Sequence, residues 1–186
     1  IASNPFSNCQ QLQSIIVDEN NQYFTSIDGV LFNKNISHLI ACPCTKWDYV
    51  IPSSVTSIGE FAFFQCNMLD SVVIPSSVFS IEQNAFCGCT ALKSVTIPFG
   101  VTSISYGLFS ECTSLETVVI PASVTEIDNY AFEDCSSLSS IAIPTSVTSI
   151  GEDSFDKCDD LKHVFLPEHL AGQEWKFPRS AYVKIR

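Results

Sequence analysis

Cations are scarce in this chain: 9 Lys and Arg stand against 20 Asp and Glu among 186 residues, a formal charge of −11. Nucleic acid and anionic lipid both select clustered cations, so neither is expected as a ligand. No apolar run approaches the ~18 residues that cross a bilayer, although the mean hydropathy is +0.22. Glycine numbers only 7 and follows no collagen-like period. Walker A, G-x-S-x-G and H-E-x-x-H patterns are all missing. So are a starting Met and a signal peptide, and the chain is therefore expected to be processed or a fragment whose targeting segment is lost. The nine cysteines are an odd number, which leaves at least one thiol unpaired within the chain.

What is present is a repeat. Ile-Pro recurs at Ile51, Ile74, Ile97, Ile120 and Ile143, each 23 residues after the last, and Leu166-Pro167 continues the series. Cys66, Cys89, Cys112, Cys135 and Cys158 keep the same step, as do Phe63 to Phe155, Ile58 to Ile150 and Leu69 to Leu161. So many columns in phase decide the fold before any single element does. Phe6, Cys9, Leu12, Ile15 and Val17 reproduce part of the unit. The expected organisation is one domain: a partial repeat over 1–17, a long repeat over 18–50, five 23-residue repeats over 51–165 and a C-terminal cap over 166–186. In the long repeat, Asp28-Gly29 lies between Tyr23–Ile27 and Val30–Phe32, which predicts a β-hairpin. Asn33–Asn35 predicts a second turn and Ile36–Ala41 a further strand.

One unit cannot bury its own apolar face, whereas stacked units can. Alternation along Leu69-x-x-Val72-x-Ile74 sends Val72 and Ile74 inward and Ser71 and Val73 outward. Pro ends each strand, because it has no N–H for a ladder. Like residues should then stack at the ~4.8 Å spacing of parallel strands. The fold class is a β-rich repeat solenoid.

The pattern resembles the BspA-like, or Treponema-type, leucine-rich repeats, whose unit reads L-x-x-I-x-L-P-x-x-V-x-x-I-x-x-x-A-F-x-x-C. Leu92 to Cys112 follows it closely, and Leu108 and Ser154 stand where Ala is usual. Phe24–Lys34 resembles a hairpin common among its members. The resemblance spans about residues 3–170. It implies a right-handed leucine-rich-repeat coil with a parallel sheet on its concave face. It further implies a cell-surface or secreted protein that binds other proteins, often in host adhesion, with no catalysis and no cofactor.

Candidate sites follow from the register. The outward strand positions are Ser71, Val73, Ser94, Thr96, Thr117, Val119, Ser140, Ala142, His163 and Phe165. They are small, hydroxyl-bearing or apolar, which suits either an ordinary open sheet or a shallow protein-binding strip with Val73, Val119 and Phe165 as contacts. The expected partner is a protein, such as a host surface or matrix protein. Self-association by end-to-end stacking, as a structural subunit, is the alternative.

The column cysteines read as a buried ladder of free thiols. Cys42, Cys44 and Cys87 lie off the column, and a disulfide among them or to another chain stays open. Cys42-Pro43-Cys44 is too small a cluster to predict a metal. Ser154-Phe155-Asp156-Lys157 matches S-x-x-K, but Ser154 falls in the interior Ala column. His163 and His169 read as exposed and non-catalytic. Asn35-Ile36-Ser37 is the one N-glycosylation sequon, with Asn35 in a predicted turn. Trp175 and Phe177 are expected to cover the last coil, and Tyr182–Arg186 to add an edge strand.

Overall fold

The 23-residue unit forms one coil of a parallel β-solenoid. A computed structural model describes residues 3–7 and 9–186; residues 1, 2 and 8 of the expected partial repeat lie outside it. The chain starts its regular structure as a meander. Strand β1 (Phe24–Ile27) pairs antiparallel with β2 (Val30–Asn33) across Asp28 and Gly29, at φ 50° and 79°. Two adjacent left-handed residues are what a tight two-residue hairpin turn needs. β2 then pairs antiparallel with β3 (His38–Ala41). This strand starts later than the sequence suggests. Ile36 sits at φ 56°, and the Asn33 side-chain oxygen accepts the N–H groups of Ser37 and His38 at 2.9 and 3.0 Å.

Two sets of strands follow. The first set is β4 (Asp48–Val50), β6 (Ser71–Val73), β8 (Ser94–Thr96), β10 (Thr117–Val119), β12 (Ser140–Ala142) and β14 (His163–Leu166). The second is β5 (Ser57–Ile58), β7 (Ser80–Ile81), β9 (Ser103–Ile104), β11 (Glu126–Ile127) and β13 (Ser149–Ile150). Within the first set β4 pairs with β6, β8 with β10 and β12 with β14; within the second β5 pairs with β7, and β11 with both β9 and β13, all parallel and in register, as Val119 with Thr96 and Ile127 with Ile104. β3 joins the second set by pairing parallel with β5.

A third ladder, made of turns rather than strands, closes each coil. Phe86 N–H donates to Leu108 C=O at 3.1 Å, Phe109 N–H to Ala131 C=O and Phe132 N–H to Ser154 C=O, both at 2.9 Å. Gly88, Glu111 and Asp134 donate in the same way to Ser110, Glu133 and Asp156, each at 2.8 Å. These turns hold two left-handed positions per coil. One column is Phe61, Asn84, Gly107, Tyr130 and Asp153; the other is Gln65, Gly88, Glu111, Asp134 and Lys157, all at φ between 52° and 73°. Most occupants carry a Cβ and bear strain of about 1 kcal/mol each, which the ladder offsets.

The interior is filled by columns. Phe63, Phe86, Phe109, Phe132 and Phe155 are fully buried and stack with ring centroids 4.8–5.6 Å apart. Phe177 extends the stack from the cap, 4.8 Å from Phe155, and Tyr49 extends it at the other end. Val95, Ile97, Ile141 and Ile143 point inward and are buried, whereas Val72, Ile74, Val118 and Ile120 are half-buried. A smaller cluster of Leu31, Ile40 and Ala41 takes Phe6, Ile15, Val17 and Phe24 against it.

At the C-terminal end two short 3₁₀ turns (Glu168–Leu170 and Glu174–Lys176) lead to β15 (Tyr182–Ile185), parallel to β14. Phe177 covers the last coil as expected, but Trp175 does not. It is 70% exposed, with the Lys176 ammonium 4.4 Å from its ring.

Replacing Phe109 with Ala should lower stability by about 3–5 kcal/mol, because its ring has a neighbour on both sides; urea unfolding followed by circular dichroism measures this. Gly107→Ala should cost about 1 kcal/mol or more in the same assay. Its φ is 56°, and the new Cβ would run into the Asn84 side-chain oxygen.

Candidate functional site

The first strand set exposes alternate residues, because its inward residues are held by the core. Ser71, Val73, Ser94, Thr96, Thr117, Val119, Ser140, Ala142 and His163 are all exposed on one face. Registered pairing aligns Asp48 with Ser71, Ser94 with Thr117 and Ser140 with His163, and likewise Val50 with Val73, Thr96 with Val119 and Ala142 with Phe165; the 23-residue step continues these pairs into two columns. Val73 and Val119 are 56% and 57% exposed. Phe165 departs from the expectation: it is half-buried, with the Arg186 guanidinium 5.2 Å from its ring. The added strand β15 brings that cation to the strip's end, which sequence reading of the repeats alone could not locate.

Two members of this face were missed. Val50 on β4 pairs with Val73 and is 70% exposed. Trp47, just before β4, is 66% exposed. It lines a shallow depression with Met68 and Ala91, rimmed by Asp48, Asp70 and Ser71. Both residues precede the first Ile-Pro, where the column pattern is not yet running. The available signal was the spacing itself, since Val50 lies 23 residues before Val73.

The strip's flank carries Asp70, Lys93, Glu116, Ser139 and Lys162 in successive coils. Lys93 pairs with Asp70 at 2.6 Å, an exposed bridge that raises the Lys93 pKa. Such exposed pairs add little to stability.

The remaining candidates resolve individually. Ser154 is fully buried, and its hydroxyl donates to the carbonyls of Gly151 (2.7 Å) and Asp128 (3.2 Å). Lys157 instead holds Glu133 at 2.9 Å, so the S-x-x-K match assembles no nucleophile. His163 is exposed, and His169 lies against the Val147 carbonyl at 2.7 Å. Asn35 is exposed in its turn.

All nine cysteines are free thiols. Cys66, Cys89, Cys112, Cys135 and Cys158 are buried, but Cys9 is exposed, contrary to expectation. Its turn has the repeat's hydrogen bonds, with Cys9 N–H on Phe6 C=O and Leu12 N–H on Cys9 C=O, yet it lies at the edge of the array. Cys89, Cys112, Cys135 and Cys158 donate to the carbonyls of Phe63, Phe86, Phe109 and Phe132 at 3.1–3.2 Å. Burial pushes these thiols up, Cys158 to about 12, and Cys87 to about 11 with help from nearby Glu111 and Glu133.

With this geometry the sequence matches the BspA type leucine rich repeat region in six copies over residues 56–177. The chain belongs to the BspA-type leucine-rich repeat family. A leucine rich cell surface protein from Faecalibacterium prausnitzii is 36% identical, with a TM-score of 0.82 over 87% of this chain and 44% of that one. The leucine rich repeat protein of T. pallidum is 30% identical, with a TM-score of 0.68 over 80% of this chain and 72% of that one. The pneumococcal vaccine antigen PcpA, 21% identical, shares the fold with a TM-score of 0.78 over 93% of this chain and 45% of that one. The chain thus spans less than half the length of the first and third of these structures. None of the curated proteins matches the sequence.

The buried thiols of this BspA-type array predict an alkaline limit to stability. Cys89, Cys112, Cys135 and Cys158 stay protonated in the fold above their ordinary value of 9.0, whereas the unfolded chain releases those protons. Their contribution is complete below pH 9 and is lost progressively as pH rises above it, for Cys158 up to about 12. Between pH 9 and 11 the loss should be on the order of 1 kcal/mol per thiol per pH unit. Urea midpoints against pH should show a shallower fall in Cys112→Ala and Cys135→Ala than in the wild type.

Proposed function

We propose that this chain is a non-enzymatic protein-binding module of a cell-surface or secreted BspA-like protein, and that its partner lies across the outer face of the first strand set. The observation that carries this reading is the registered strip of exposed Val50, Val73 and Val119 among small hydroxyl residues. Long side chains are few there, so a partner would be met with little loss of rotamer freedom. Trp47 supplies an aromatic anchor at one end of the strip, beside the Met68 and Ala91 depression. The likeness to the leucine rich cell surface protein from Faecalibacterium prausnitzii supports the setting. Host adhesion is the finer expectation, with a host surface or matrix protein as the partner.

End-to-end self-assembly is the competing reading. Against it stands β15, whose outward Lys184, with Arg186 directly after the strand, makes the kind of charged edge that resists further strand pairing.

The test is capture from host-cell surface and matrix extracts with three baits. The wild type should retain a specific protein. A Val73→Glu, Val119→Glu double variant and a Trp47→Ala variant should each lose at least tenfold of it while keeping the wild-type circular dichroism and melting curve. Retention by both folded variants would discard this face. Capture of the chain's own copies alone, kept by both variants, would establish the assembly reading instead.

A further inference from the structure

Cys44 and Cys66 differ from every other cysteine of the array in facing one another. Their sulfurs are 3.1 Å apart, about 1 Å beyond the ~2.05 Å of a disulfide bond. The cause is a break in the repeat's phase. Each later column thiol is anchored on the carbonyl of a Phe 26 residues earlier. The residue in that relation to Cys66 is Ile40, which lies in β3 of the meander. No such Phe carbonyl meets Cys66, and its thiol turns between Cys44 Sγ and the Cys42 carbonyl, at 3.1 and 3.7 Å. Cys44, in the short segment after β3, is half-buried and reachable from solvent, whereas Cys66 is 1% exposed.

We infer that Cys44 and Cys66 form a modification site, an intrachain disulfide made by exchange with a low-molecular-weight disulfide in an oxidising environment. The Cys44 thiolate attacks one sulfur of the small disulfide and expels one thiolate, leaving a mixed disulfide on Cys44. The Cys66 thiolate then attacks Cys44 Sγ and expels the second. Two protein thiols are oxidised, one small disulfide is reduced to two thiols, and the two protein protons end on those thiols. The bond closes a 22-residue step and fastens the meander coil to the first regular repeat. The hydrogen bond with Cys66 and burial hold the Cys44 thiol in its protonated form. Exchange is therefore slow near neutrality, and its rate rises about tenfold per pH unit while the thiolate is the minor form. The pair does not depend on the binding reading, and either can fail alone.

The experiment equilibrates the reduced, folded chain with glutathione disulfide, alkylates the remaining thiols in urea and digests with trypsin. The expected product joins the peptide Asn35–Lys46 to Trp47–Lys93, with fragmentation placing the bond between Cys44 and Cys66. Cys44→Ser should abolish the link and Cys42→Ser should keep it. Oxidation should raise the thermal midpoint by about 5–10 °C in the wild type and leave Cys44→Ser unchanged. If Cys44→Ser does not fold, the linked peptide of the wild type still decides. Full alkylation of all nine thiols, a bond through Cys42 or Cys87, or a bond formed only in the unfolded chain would each overturn the assignment.

Discussion

Successive coils are joined by the backbone hydrogen bonds of a ladder of turns, with parallel strand pairing between some of them on two further sides, and everything else in the molecule is a consequence of that register. Two sides are parallel strands and the third is the ladder of turns in which Phe109 N–H meets Ala131 C=O. Once the backbones are superposed, equal residues must lie over one another. Apolar columns then bury fully, as the Phe column does. Polar columns form lines on the surface. The left-handed turn residues show how firmly the register is imposed, for Tyr130 and Lys157 hold a backbone conformation that suits Gly far better.

Much of this was legible because a repeat multiplies weak signals. One Ile-Pro predicts little, whereas five at a constant step predict a coil. The Asp28-Gly29 hairpin, the inward Ile column and the closing strand at Tyr182 were readable for ordinary reasons of turn chemistry and alternation. The third ladder was not readable, because its left-handed columns hold Phe, Asn, Gly, Tyr and Asp in one case and Gln, Gly, Glu, Asp and Lys in the other. No residue type marks them, since it is the neighbours' hydrogen bonds that fix the backbone there. Cys9, Phe165 and Trp175 were misplaced for a different reason: each lies near an end of the array, where a residue's surroundings are no longer those of its column.

The candidate binding face divides in the same way. Its outward positions follow from alternation alone, and nine of the ten are exposed. Its shape does not follow from alternation. Trp47 and the depression beside Met68 arise where the meander hands over to the regular coils. That junction is also where the thiol column loses its Phe carbonyl. Irregular chemistry collects at the phase break because only there do unlike residues become neighbours.

The strict step has a consequence for how such a chain can change over generations. Excision or duplication of a whole 23-residue unit, say Ile97–Val119, rejoins two coils whose turn ladder and residue columns still superpose. A change of one residue more or less turns the alternation inside out and puts Ser where Val belongs. Array length is thus a quantity that recombination can adjust in fixed increments, lengthening or shortening the exposed strip without redesigning either end.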